Sequence, residues 1–132
     1  MTKNDTAEII DIKTDESNPL DMLKKLYDIS MDVIGDEISV SPLGFRDVAR
    51  MSESESLKIQ GVTMRDLRHP IKLLDILEDD AKFSAVMIAL SKARDNFDDL
   101  DAKNTNIRVI EAWVTAVMLE SSGLIETKSE GN

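Results

Sequence analysis

The chain contains no cysteine, which removes disulfides, thiolate metal sites and cysteine nucleophiles and gives no reason to expect secretion. It has a single histidine, His69, with no serine–histidine–aspartate spacing around it and no second histidine to share a metal. Aromatic residues are only 4%, so the core is expected to be aliphatic. No apolar run approaches the ~20 residues needed to span a bilayer, and the stretch MTKNDTAEIIDIKTDESN lacks the apolar segment of a signal peptide. The expectation is a soluble, cytoplasmic protein. Positive charge is also scarce: 16 Lys and Arg stand against 26 Asp and Glu, a net charge of −10. Such a surface repels phosphate backbones, which sets nucleic-acid binding at a disadvantage.

The 132 residues and 42% apolar content fit one globular domain able to bury a core without cross-links. Seven methionines supply side chains that fill irregular gaps. The charge is uneven along the chain: residues 1–45 and 73–132 each carry −6, whereas residues 46–72 carry +2.

Helix punctuation is strong. In SNPLDMLKKLYDISMDVIG, Asn18 is placed to cap, Pro19 suits the first helical position and Gly35 ends the run. Leu20, Leu23, Tyr27 and Ile34 form one apolar stripe; Met22, Leu26, Ile29 and Val33 form a second. Ser41 and Pro42 start a further helix through Met51, and SESES reads as a solvated loop. Brief alternation at Ile38 and Val40, and again in LKIQGV, allows two short strands. Thr63 and Asp66 have capping-box spacing, and Pro70 disfavours helical geometry at His69. IKLLDIL is a helical segment, and Asp80 caps AKFSAVMIALSKARDNF, whose centre is apolar nearly all round and so belongs in the middle of a bundle. IRVIEAWVTAVMLESSG is the last helix, ended by Gly123.

The fold class is therefore mainly α: a small single-domain bundle of four to five helices, with room for one short two-stranded β-hairpin. Residues 1–18 read as a mobile arm, 19–125 as the helical domain and 126–132 as a disordered tail.

Candidate chemistries are few. His69, before a proline, reads as a polar cap. DDLDAKNTNIRVIE resembles a calcium loop from Asp99, yet Lys103 stands where an oxygen ligand belongs and Ile110 where the closing glutamate belongs. Asp79, Asp80, Asp98 and Asp99 read as caps and linker charges, and no glycine-rich phosphate loop is present. No metal, no cofactor and no enzymatic activity are expected.

Two resemblances bear on GVTMRDLRHP. With FRDVARM as a first helix, it is similar to the helix–turn–helix of mercury-resistance-type regulators. Nine residues, SESESLKIQ, interrupt that motif, and His69-Pro70 replaces its aromatic. This rival reading implies a basic DNA-binding face of Arg46, Arg50, Arg65, Arg68 and Lys72. Another rival, an acidic DNA mimic, would rest on the cluster at residues 95–101.

The second resemblance spans residues 57–125. A run into Gly61-Val62-Thr63 with Asp66, a later Ile88-Ala89-Leu90 helix and a final helix ending near Ser122-Gly123-Leu124 resemble tail assembly chaperones of long-tailed bacteriophages; Pro70 is a departure from the pattern. The resemblance implies a non-enzymatic cytoplasmic binder whose protein partner is a long helical tape-measure protein, held in an apolar groove. Trp113, Val117 and Met118 are the expected anchor if exposed, and core otherwise.

Overall fold

The structure is a computed structural model and describes residues 18–36, 38–94 and 106–126. Except for Asn18 and Glu126, the expected arm and tail lie outside the described residues, as do the acidic cluster at 95–101 and the calcium-like loop up to Thr105.

Among the described residues six α-helices are present: α1 (Pro19–Ile34), α2 (Phe45–Ser52), α3 (Glu55–Ile59), α4 (Pro70–Glu78), α5 (Asp80–Ala93) and α6 (Ile107–Ser122), with a 3-10 helix at Met64–Arg68. The bundle expected from the sequence is what forms. No strand occurs among the described residues.

In α1 the Asn18 Oδ1 accepts the Leu20 N–H at 3.0 Å, with Pro19 behind it, and the Gly35 N–H closes the far end onto Met31. Leu23, Tyr27, Ser30 and Ile34 are buried, the 4-3-4 spacing of one helix face. Leu20 and Ile29, which the stripes would have buried, are exposed. α1 packs chiefly against α6. Between Ala112 and Glu120 only Thr115 escapes full burial. The central helix is therefore α6. α5, the expected centre, leaves Ser84 and Ile88 exposed. The reason is position: α5 covers α2, α3 and α4 from one side, while α6 is enclosed by α1, by the 3-10 helix and by residues 38–43.

That last segment explains the first false strand. The Trp113 Nε1–H donates to the Ser39 carbonyl at 2.9 Å, and the Leu43 N–H donates to Ser121 Oγ at 2.8 Å. Four residues of extended chain cover ~13 Å, and the eight helical residues from Trp113 to Ser121 rise ~12 Å. Residues 39–43 thus run alongside α6 as an extended strap fixed at both ends. Ile38 and Val40 pack against the core in period-two alternation without a partner strand.

The second false strand has a different cause. Leu57 is 3% exposed and Ile59 72%. Residues two apart share a face in a strand but stand about 200° apart on a helix, and α3 is a helix. It closes with the Val62 N–H bonded to the Leu57 carbonyl and the Gly61 N–H to that of Lys58, with Gly61 at φ +69°. This paired arrangement requires a left-handed residue, and glycine adopts it without strain. SESES is correspondingly not a free loop. Ser54 precedes the first turn of α3, and the Ser56 hydroxyl donates to the Ala85 carbonyl on α5 at 3.0 Å.

Candidate interaction surface

Trp113, Val117 and Met118 do not form a surface anchor. Trp113 is 1% exposed, and Val117 and Met118 are wholly buried between α6 and its neighbours. The Arg94 guanidinium lies 5.8 Å from the centroid of the indole, within cation–π range. Arg94 also donates from Nε to Asp47 Oδ2 (3.1 Å) and from Nη2 to the Pro42 carbonyl (2.7 Å). Asp47 Oδ2 accepts the Gly44 N–H as well, at 3.0 Å. One arginine thereby joins the end of α5, the start of α2 and the core tryptophan. That network fixes α2 about three residues later than the expected start at Ser41-Pro42.

The stretch from Gly61 to Pro70 is built from caps. Thr63 N–H donates to Asp66 Oδ2 at 3.0 Å, and Asp66 N–H donates back to Thr63 Oγ1 at 3.3 Å. His69 sits in extended backbone (φ −105°, ψ 120°), as a residue before proline prefers. Its Nδ1 accepts the Lys72 N–H at a long 3.5 Å. His69 ends the 3-10 helix and starts α4, with Pro70 at the first helical position. Asp79, one residue before the expected Asp80, caps α5 by accepting the Lys82 N–H at 3.0 Å.

The backbone hydrogen bond from Thr63, aided by the Lys72 ammonium 3.6 Å away, holds the Asp66 carboxyl below its ordinary 3.8, while partial burial opposes the shift. A carboxyl with a lowered folded pKa stabilises the protein above the unfolded value, and that stability is lost as pH falls through the folded one. Asp66→Asn is expected to cost about 1 kcal/mol at neutral pH, the usual size of a cap. The difference from wild type should narrow as pH falls through 3.8 and on below it; urea titrations of both proteins from neutral pH downward check it.

Beside these caps lies a cleft of about 320 Å³ between α2, the 3-10 helix and the end of α6. Leu43, Val48, Met64 and Leu67 supply its apolar lining, and Arg65 and Arg68 its charge. A second hollow of about 340 Å³, bordered by Met51, Leu57 and Val62, meets it at Met64, which lines both. Phe45 begins α2 one turn before Val48 and is 97% exposed. Full exposure of a phenylalanine forfeits the ~1.5–3 kcal/mol that burying such a side chain contributes.

The sequence reading missed Phe45. As the first residue of its helix after Gly44, it has no preceding turn to pack upon, and apolar character alone sends phenylalanine inward. The five basic residues expected to share a face are divided between different clefts and partners. Arg65 and Arg68 line this cleft; Arg46 and Arg50 line another with Arg94. Arg50 donates to the Ala93 carbonyl at 3.0 Å, and Lys72 pairs with Asp66. Among the described residues no three His, Asp or Glu side chains gather as a metal ion needs, and no helix is long and apolar enough to cross a membrane.

Fold and surface together define a mainly helical single-domain protein with an arginine-edged apolar cleft. No family model matches the chain, and neither a curated protein nor a solved structure does.

Proposed function

We propose that the protein is a non-enzymatic assembly factor that binds another protein through an amphipathic helix, in the manner of phage tail assembly chaperones and their long helical tape-measure partners. The observation that supports this reading is Phe45, almost fully in solvent one turn from Val48, in a largely apolar cleft that meets a second hollow at Met64. Exposed aromatics next to apolar pockets are the usual anchors of protein interfaces, and methionine adapts to varied partner side chains. The anchor is thus Phe45 in place of Trp113. The net charge of −10 keeps a chaperone–client complex soluble.

The DNA-binding alternative gains little from the same surface. Its recognition helix would be the five-residue 3-10 helix, ~10 Å long, with Pro70 starting a separate helix immediately after it. Reading a major groove calls for a helix presented along the groove.

The test is a photo-crosslinking amino acid placed at Phe45, with a control at exposed Lys24 on α1, in the native cell. A cross-link from position 45 alone, at high salt, to an apolar-faced helix of a long helical protein is the expected result. Cross-links to nucleic acid, or equal labelling from both positions, would overturn the reading.

A further inference from the structure

Arg65 and Arg68 are three residues apart on a 3-10 helix. At three residues per turn such positions eclipse one another, stacked ~6 Å apart along the axis. Among the described residues neither arginine has an ion pair or hydrogen bond. Two unpartnered cations so close repel each other, in a protein whose acids outnumber its bases by 26 to 16. Both line the cleft, whose other lining residues are apolar except for Ser121. An α-helix repeats its side chains at i and i+4 with a rise of ~6 Å, the spacing of this arginine pair.

We infer that the cleft between α2 and the 3-10 helix takes the apolar face of a partner helix whose flanking edge carries carboxylates at i and i+4. The inference rests on the protein-binding reading above and adds the sign and spacing of the charges that the partner carries. The partner's aliphatic residues lie over Val48 and Met64, against Phe45. Its two carboxylates meet the stacked guanidiniums, whose planar forks suit carboxylates. The rest of the protein repels an acidic helix only weakly at this contact. At physiological salt the screening length is ~8 Å, so local pairing outweighs the distributed negative charge.

Three fluorescein-labelled 18-residue helical peptides test this, sharing one leucine face and differing only in an i, i+4 edge pair of Glu, Gln or Lys. Binding to the full chain is read by fluorescence anisotropy at 0.15 M salt. The Glu peptide should bind about tenfold tighter than the Lys peptide, as two exposed ion pairs exchanged for two repulsions imply. Arg65→Glu with Arg68→Glu should reverse the order, and 0.5 M salt should narrow it. Phe45→Ser should weaken all three peptides about tenfold. Circular dichroism confirms that each variant folds.

Equal binding of all three peptides would leave the protein-binding reading standing and overturn the acidic preference. Binding of none would overturn both. Tighter binding of the Lys peptide, or displacement of the Glu peptide by a 20-base-pair duplex, would also overturn the inference. So would a dimer seen in sedimentation and abolished by Phe45→Ser, which would make a second copy the occupant.

Discussion

Trp113→Ala is expected to lower the unfolding free energy by about 4 kcal/mol, the middle of the range for removing a buried large aromatic. Three losses combine. The indole is 1% exposed in the centre of α6, so its removal leaves a cavity in the most enclosed helix. Its Nε1–H holds the strap at Ser39, and without it one end of residues 39–43 is released. The Arg94 guanidinium, which also ties α2 to α5, loses the ring beneath it. Natural domains have only ~5–15 kcal/mol in total, so Trp113→Ala itself is at risk of unfolding. Trp113→Phe keeps most of the apolar volume and should cost well under half as much. Urea denaturation followed by far-ultraviolet circular dichroism measures both, with an unchanged slope marking an unchanged unfolding transition. Equal losses in the two variants would show that the hydrogen bond, not the filled volume, is what matters at this position.

The second large effect is at the other end of the α1–α6 interface. Tyr27 donates from its hydroxyl to Glu120 Oε2 at 2.8 Å, and Glu120 Oε1 is buried with no hydrogen-bond partner among the described residues. Glu120, 7% exposed, also lies in the last turn of α6, where the helix dipole disfavours negative charge. Tyr27→Phe removes the one donor described for that carboxylate and should cost about 3 kcal/mol, the upper end for orphaning a buried polar group. Glu120→Met should cost far less, because an apolar side chain carries no burial penalty of this kind. The double variant should be more stable than Tyr27→Phe alone. A double-mutant cycle isolates the coupling; additive losses would mean that hydroxyl and carboxylate stabilise the fold independently.

Helix ends were the most legible part of the sequence, because caps act through two to four residues. Asn18-Pro19, Gly35, the Thr63–Asp66 box and Gly123 all occupy the expected places, and Pro70, expected to interrupt helical geometry, also starts α4. Strand-like alternation misled in two ways. At Ile38 and Val40 the backbone is extended but pairs with a helix, which no local pattern distinguishes from a sheet edge. At Leu57 and Ile59 two apolar residues were assumed to share a face, whereas one is core and the other is in solvent. Whether Trp113 was core or anchor stayed open, and Phe45 went unremarked, for a related reason. Burial depends on what stands opposite a residue, and for both of them those neighbours lie far away in sequence. The arginine pair was visible as charge, but its stacking depends on a 3-10 helix in place of an α-helix, a distinction set by the cap and the following proline acting together.

The pairing of the first described helix with the last bears on the order of events in synthesis. Tyr27 meets a side chain 93 positions later, and the strap finds both of its attachment points on α6. A nascent chain that has not yet produced residues 107–122 can form its local turns and set α4 against α1, but it has nothing to complete the cover of α1 or to fix residues 39–43. The cooperative collapse of this protein therefore waits for its last helix, and closing so long a loop slows the step. Until then the part of the α1 apolar face that α6 covers is open to any other chain nearby.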